Sequence, residues 1–223
     1  MAMRPRFLWL LIVVYVSTLL MANWYDARII QFFHLQTDAG TLVFPVTFLC
    51  ADIITEVYGY QKALLAIATA FVINIAFLTY GWIVTHMPTP SGPAVLVAHN
   101  QQFDNIMQAN SLIILASFVC YLTSEPLNAY VVSRSKRWLK GKMIALRFLV
   151  STIIAAFIDS VVFSFIGLSQ QFDTAMQVFN IALTMWGIKV FIEVLGLPLS
   201  TFLAKKLKKI DSPEYWASQE KNH

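Results

Sequence analysis

Charged residues and cysteines are both scarce in this chain. Only 13% of its 223 residues are Asp, Glu, Lys or Arg, whereas 58% are hydrophobic. Soluble globular proteins carry about one-quarter charged residues, and disordered chains combine low hydrophobicity with high charge. The composition therefore excludes both classes and predicts an all-α polytopic membrane protein.

The sequence also lacks the short motifs of several common catalytic and metal sites. There is no G-x-x-x-x-G-K-[ST] phosphate loop, no H-E-x-x-H zinc motif and no G-x-S-x-G nucleophile turn. Cys50 and Cys120 lie in apolar runs, outside any C-x-x-C or Cys/His spacing that would hold zinc. We therefore predict no enzymatic activity, no cofactor, no metal site and no disulfide.

Long apolar runs indicate where the chain crosses the membrane. A spanning helix needs about 20 predominantly apolar residues, and six runs come close to this length or exceed it. The predicted spans are residues 7–24, 40–58, 62–85, 106–133, 142–167 and 178–203. Six helices with short loops nearly fill the chain. The sequence thus predicts one six-helix transmembrane domain over residues 1–210, followed by a polar tail over residues 211–223.

The longest predicted loop covers residues 86–105. Pro88, Gly92 and Pro93 predict an irregular backbone there, because proline removes a backbone donor and glycine is conformationally free. Such a loop either caps a binding site or serves as a plain connector. The sequence does not choose between these two roles.

Basic residues are distributed unevenly between the loops. With six spans, fourteen of the sixteen Lys and Arg residues fall on one side of the membrane. They are Arg4, Arg6, Lys62, Arg134, Lys136, Arg137, Lys140, Lys142, Arg147, Lys205, Lys206, Lys208, Lys209 and Lys221. Cytoplasmic loops are enriched in Lys and Arg, so we predict that both termini are cytoplasmic. Loops of this kind meet anionic lipid headgroups, and nucleic acid is not a predicted partner.

Apart from the basic residues assigned to the cytoplasmic side, six ionisable residues lie within the predicted spans. They are Asp52, Glu56, Glu125, Asp159, Lys189 and Glu193. Each charge near a helix centre costs roughly 2.5–3.5 kcal/mol on insertion scales. A purely structural bundle has no need of this cost, whereas a polar path through a bundle requires such residues. The sequence therefore favours a transporter or a channel.

Two pairs of these residues are four positions apart on one helix face. The carboxylates of Asp52 and Glu56 would repel each other, so they need a cation, a proton or a donor-rich ligand between them. Lys189 and Glu193 fit either an internal ion pair or part of a ligand site. Both interpretations of the second pair remain open at the level of sequence.

The second predicted span carries a distinctive run of residues. Residues 44–59 read FPVTFLCADIITEVYG. This run closely resembles the F-P-x-T-F-L-x-x-D-x-x-T-E-x-Y-G motif of the queuosine precursor transporter family, also called the vitamin uptake transporter family. Residues 140–142, Arg147, Asp159 and Lys189 are similar to further motifs of the same family.

The resemblance implies six helices and import of a 7-deazaguanine precursor of queuosine, preQ0 or preQ1, across a bacterial inner membrane. The family often carries S-Q-x-x-D in both the fourth and the fifth helix. Here Glu125 and Asn128 replace the Gln and Asp of the first copy, and Ala156 replaces the Gln of the second. These replacements fall where the substrate would be recognised, so the exact substrate stays open. The mechanism of transport also stays open, and it is facilitated, proton-coupled or ATPase-assisted.

Two further readings of the function stay open as well. One is a transporter or substrate-binding subunit for another vitamin or nucleobase. The other is a non-transporting membrane enzyme or interaction subunit. The expected partners are a purine-like small molecule and the lipid bilayer. A homo-oligomer and an external ATPase module are both left open by the sequence.

The chemistry of a guanine-like base suits the charged residues in the spans. Its adjacent N–H donors can be accepted together by one carboxylate. The predicted substrate-binding residues are Asp52, Glu56, Glu125, Asn128, Asp159, Lys189 and Glu193. Of these, Glu56, Glu125 and Asp159 are the main candidates for reading the base. The candidate stacking residues are Phe44, Phe48, Tyr121 and Trp186.

Overall fold

The computed structural model describes residues 5–32, 35–89, 91–109 and 111–212. These residues form seven α-helices and one β-hairpin. The helices are α1 (Leu8–Tyr25), α2 (Pro45–Tyr58), α3 (Tyr60–Thr85), α4 (Ala94–Ala109), α5 (Ser111–Trp138), α6 (Ile144–Phe163) and α7 (Ala175–Asp211). Strands β1 (Ile29–Phe32) and β2 (Leu35–Asp38) pair in antiparallel register between α1 and α2.

Local sequence explains where several of these helices begin and end. Pro45 lies in the first turn of α2, where its missing N–H costs nothing. Gly59 separates α2 from α3 at a φ of 90°, a conformation that glycine adopts without a side-chain clash. Thr174 and Gln177 form a capping box at the start of α7.

Helix α2 lies at the centre of the bundle. Twelve of its fourteen residues are buried, and it packs against α1, α3, α5 and α7. The outer helices instead expose large apolar side chains, such as Trp9, Val72 and Leu199. A bundle with apolar side chains on its outside and buried charges inside is the arrangement expected in lipid.

Five segments are long and apolar enough to cross a membrane. They are Leu8–Tyr25, Gly40–Tyr58, Tyr60–Thr85, Ile144–Gln171 and Ala175–Asp211. The remaining predicted span, residues 106–133, falls mainly on α5, whose 28 residues also exceed the length that spanning requires. The described residues thus form a multi-pass helical membrane protein, and the count of six spans stays a prediction.

The structure corrects four details of the predicted organisation. The loop predicted over residues 86–105 contains helix α4, because the prolines end at Pro93 and good helix formers follow. The predicted span 106–133 therefore crosses the boundary between α4 and α5. The hairpin is an addition to the all-α prediction. Arg147, counted with the basic residues between the fourth and fifth spans, lies buried in the first turn of α6.

The two ends of the bundle differ in what they carry. We call the end that carries the hairpin the hairpin end. At the opposite end, the terminal end, the backbone N–H of Arg6 donates to the Asp211 carboxylate at 2.8 Å. Asp211 was assigned to the polar tail, but it ends α7 and is buried. Arg4, Lys221 and the rest of the predicted tail, residues 213–223, lie outside the described residues.

Candidate functional site

The interior of the bundle contains buried polar residues in three connected groups. The cavity group comprises Asp26, Asp38, Phe44, Asp159 and Lys189, near the hairpin end. The inner acidic group comprises Asp52, Glu125, Asn128 and Glu193. The terminal network comprises Glu56, Tyr58, Lys136, Arg147, Lys208 and Asp211. All six ionisable residues predicted within the spans are buried, at 0–3% exposure.

An ion pair between α6 and α7 forms the centre of the cavity group. The Lys189 ammonium lies 2.5 Å from the Asp159 carboxylate, and both residues are 3% exposed. The Ser124 hydroxyl donates a hydrogen bond to the second Asp159 oxygen at 3.0 Å. The Lys189 ammonium also lies 4.6 Å from the centroid of the Phe44 ring, within range of a cation–π contact. Lys189 thus pairs with a residue of another helix, so the internal pair with Glu193, one of the two interpretations left open by the sequence, does not form.

A small cavity opens beside this ion pair. It is lined by Asn23, Asp26, Asp38, Thr41, Phe44, Ser117, Cys120, Asp159, Phe163, Met185 and Lys189. The space inside is about 20 Å³, which is enough for one water molecule. A purine-like base is several times larger. The structure is therefore closed around the cavity group, and a ligand of that size requires the surrounding helices to separate.

Asp26 and Asp38 are cavity residues that the sequence analysis missed. The Thr41 backbone N–H and hydroxyl donate to Asp38 at 2.7 and 2.6 Å, and the Ser117 hydroxyl donates to Asp26 at 3.2 Å. Burial raises the pKa of Asp26 well above its usual value, and the negative charge of Asp38 adds to this effect. Both residues lie outside the predicted helix interiors, so a search for charges within spans does not find them.

The inner acidic group lies where α2, α5 and α7 meet. The Asn128 amide donates to Asp52 at 2.6 Å, and the Thr47 hydroxyl donates to Glu125 at 2.8 Å. Asp52, Glu125 and Glu193 are each 0% exposed. Among the described residues, one oxygen of Asp52, one of Glu125 and both of Glu193 make no hydrogen bond of standard geometry. The group therefore has spare acceptor capacity for hydrogen-bond donors.

Glu56 is engaged by the basic residues of the terminal network and is not among the residues that line the cavity. Its carboxylate contacts the Arg147 guanidinium and the Lys208 ammonium, each at 2.6 Å. The Lys136 ammonium donates to the Glu56 backbone carbonyl at 2.7 Å, and the Tyr58 hydroxyl donates to Asp211 at 2.6 Å. Asp52 and Glu56, predicted to share one cation or ligand, thus have separate partners.

The four predicted stacking residues occupy different places. Phe44 lines the cavity, whereas Phe48 is fully buried behind it with the two ring centroids 5.3 Å apart. Tyr121 donates to the Ile67 carbonyl at 2.8 Å and stacks on Phe71. Trp186 donates to the Ile153 carbonyl at 3.0 Å. Phe44 is therefore the one of these four side chains that lines the cavity.

The arrangement suits recognition of a small polar molecule. Carboxylates, an amide and an ammonium group offer acceptors and donors within one desolvated region, and Phe44 offers a flat apolar surface. No group of three or more His, Cys, Asp and Glu side chains within the described ranges is arranged to hold a metal ion.

Comparison with known proteins places the chain in a family. Residues 38–203 match the family model described as "Putative vitamin uptake transporter". This range includes α2, α5, α6 and most of α7, and with them the inner acidic group and the Asp159–Lys189 pair. No curated protein and no solved structure matches the chain. The chain belongs to the vitamin uptake transporter family, as the run on α2 predicted.

Proposed function

We propose that this protein imports a 7-deazaguanine precursor of queuosine, preQ0 or preQ1, across a bacterial inner membrane. The family match supports transport of a vitamin-like molecule by a multi-pass membrane protein. The observation that carries the choice of a base is the buried Asp159–Lys189 pair, which lies beside the Phe44 ring and interacts electrostatically with the buried carboxyl group of Glu125.

The proposed contacts follow from the groups on a guanine-like base. Its adjacent N–H donors face Glu125 or Asp159, because one carboxylate can accept both. Lys189 donates to the ring carbonyl, and the base stacks on Phe44. The aminomethyl cation of preQ1 has Asp26 and Asp38 available as further acceptors. In this assignment Asp52, Asn128 and Glu193 support the base-binding residues from behind, and Glu56 belongs to the terminal network.

The orientation of the protein follows from its basic residues. Lys136, Arg147 and Lys208 lie in the terminal network, and Arg6 lies at the same end. By the positive-inside rule the terminal end faces the cytoplasm. The cavity group then lies toward the outside, where a substrate for import would enter first.

Ligand binding by the purified protein in detergent tests this proposal. A thermal-shift panel holds preQ0, preQ1, queuine, guanine and several vitamins. A ligand present well above its Kd stabilises the fold, by about 2.7 kcal/mol at one hundred times Kd. We expect a selective shift with preQ0 or preQ1, and uptake of the same compound into vesicles.

Matched variants assign that binding to the site. Asp159→Asn removes the charge that we expect to face the base, so the shift and the uptake should both be lost. Asp173→Asn makes the same change at an exposed carboxylate outside the helices and should keep both. A shift with a different vitamin and none with the deazaguanines would make that compound the substrate. Tight binding without flux would indicate a non-transporting subunit.

A further inference from the structure

Three carboxylic acids meet inside the bundle, and no basic side chain in the described part of the chain forms an ion pair with them. Asp52, Glu125 and Glu193 come from three different helices, and each interacts electrostatically with the other two. The ion pairs of the described residues all lie elsewhere, at Asp159 with Lys189 and at Glu56 with Arg147 and Lys208. The acids of the inner acidic group therefore form a separate site, and the ion pairs of the described residues do not neutralise their negative charge.

The three acids cannot all be ionised in this environment. Each is 0% exposed, and a buried charge is stable only when it is paired or fully hydrogen-bonded. Four of their six carboxylate oxygens have no hydrogen bond of standard geometry. Like charges at close range add to the penalty, and such groups respond by keeping a proton. A binding partner that supplies positive charge or hydrogen is thus required.

The geometry distinguishes between the possible partners. A metal ion would need a convergent set of ligands, and none of the described clusters of His, Cys, Asp and Glu provides one. The proposed base binds at the cavity group and contacts Glu125 at most, so it supplies no positive charge to Asp52 and Glu193. A proton needs only one carboxylate oxygen, and the hydroxyl groups of Tyr15, Ser151 and Thr152, which face the three acids, carry no positive charge that could take its place.

We propose that Asp52, Glu125 and Glu193 together hold an exchangeable proton, and that movement of this proton into the cytoplasm drives uptake of the base. A carboxylate of the group takes up one proton from the outside and becomes a carboxylic acid. It returns to a carboxylate when the proton leaves at the terminal end. This inference rests on the proposed transport function and adds the source of free energy.

The neighbouring charges link the proton to the substrate. Glu125 interacts electrostatically with both Asp159 and Lys189. A base that binds Asp159 or Lys189 changes the balance of that ion pair, and so changes the affinity of Glu125 for its proton. By linkage, the proton changes the affinity for the base by the same factor. Other titratable groups that face the three acids are Tyr15, Cys50 and Tyr121.

Infrared spectroscopy tests the proton site without any substrate. Protonated carboxylic acids have a carbonyl stretch apart from that of carboxylates, and it shifts in heavy water. We expect this band in the protein at neutral pH, with part of it lost in Asp52→Asn and in Glu193→Gln. Asp173→Asn, at an exposed acid, should leave the band unchanged. An unchanged band in both inner variants would overturn the proton site, whether or not the protein transports a base.

Uptake into vesicles reconstituted with the full chain tests the coupling. With one proton per base, a gradient of one pH unit supports about tenfold accumulation, because one unit corresponds to 1.36 kcal/mol. We expect acid outside to drive this accumulation and the vesicle interior to acidify when preQ0 or preQ1 is added. The Glu193→Gln variant should let the base reach equal concentrations on both sides without accumulating it.

Uptake by the wild-type protein that does not depend on the pH gradient would overturn the coupling while leaving the proposed function intact. Absence of uptake would count against the proposed function, with the infrared result still deciding the proton site.

Discussion

At the scale of single residues, the Asp159–Lys189 pair gives the most direct prediction. Both groups are buried, so removing one leaves the other charge without a partner. Breaking a buried pair on one side costs about 3–5 kcal/mol, whereas replacing both members is often nearly neutral. We expect Lys189→Met to lower the thermal stability strongly and Asp159→Asn combined with Lys189→Met to recover most of it. Unfolding of the purified variants in detergent measures both effects.

The control for this prediction is a lysine at the surface. Lys209→Met removes an exposed ammonium from the end of α7 and should change the stability by less than about 0.5 kcal/mol. Uptake should be lost in the double variant even though its stability returns. If the double variant were less stable than either single variant, the pair would not be the source of the loss.

The sequence predicts which charges are internal, but it does not predict their partners. Insertion cost alone identified Asp159 and Glu193 as interior residues, and both are buried. The spacing of four residues suggested that Lys189 pairs with Glu193, yet its partner is 30 residues away on α6. Partner choice depends on how each helix is rotated in the bundle. The sequence did not indicate that Arg147 is an interior residue, because it lies in a basic stretch at the end of a helix.

At the scale of elements, the short turn before α2 depends on Gly40. A Cβ atom there would overlap the Asp26 carboxylate and the backbone carbonyl of Ala22. We therefore expect Gly40→Ala to displace Asp26 from the cavity group and to destabilise the fold by about 1–3 kcal/mol, as overpacking does. Thermal unfolding and the thermal shift with preQ1 report these two consequences.

A second glycine provides the comparison for Gly40. A Cβ on Gly187, within α7, would meet no atom within 4 Å. Since alanine favours a helix by roughly 1 kcal/mol over glycine, Gly187→Ala should be neutral or stabilising. If the two variants had the same thermal stability and the same thermal shift with preQ1, the turn would accommodate the added methyl group and would not determine the position of Asp26.

The hairpin and α4 could not be predicted from the sequence for different reasons. Strands β1 and β2 have four residues each, and a short apolar run does not distinguish strand from helix. Helix α4 directly follows a proline-rich stretch. The prediction of an irregular loop rested on those prolines and was extended over the residues that form α4. By contrast, α1, α3, α6 and α7 could be predicted from their long apolar runs, because the thickness of the bilayer requires about 20 apolar residues in a spanning helix.

At the scale of the whole molecule, the terminal network closes one end of the bundle. Glu56 on α2 is joined to Arg147 on α6 by a buried ion pair and to Lys208 on α7 by a partly buried one. The cavity group near the other end has space for one water molecule. In the proposed carrier the contacts at one end must break before a base can leave there, so we expect the network to influence the balance between inward-open and outward-open states.

Cys120 makes that balance measurable. It lines the cavity and is 2% exposed, so a membrane-impermeant thiol reagent reaches it only when the hairpin end opens. With Cys50→Ala, Cys120 is the single cysteine of the chain. Lys208→Gln weakens one charged contact to Glu56, worth about 1.5–3 kcal/mol, and favours opening at the terminal end. We expect labelling of Cys120 from the hairpin side to slow by about tenfold.

The exposed Lys209 supplies the matched control, because Lys209→Gln removes the same charge from the next position of α7. Its labelling should equal that of the parent chain. Equal rates in Lys208→Gln and Lys209→Gln would show that the terminal network holds the helices together without governing access. A slower rate in Lys208→Gln alone would show that the ion pairs at Glu56 act on Cys120 from the opposite side of the inner acidic group. That coupling is what the proposed import requires, because in the proposed route the base enters beside Asp159 and leaves past Glu56.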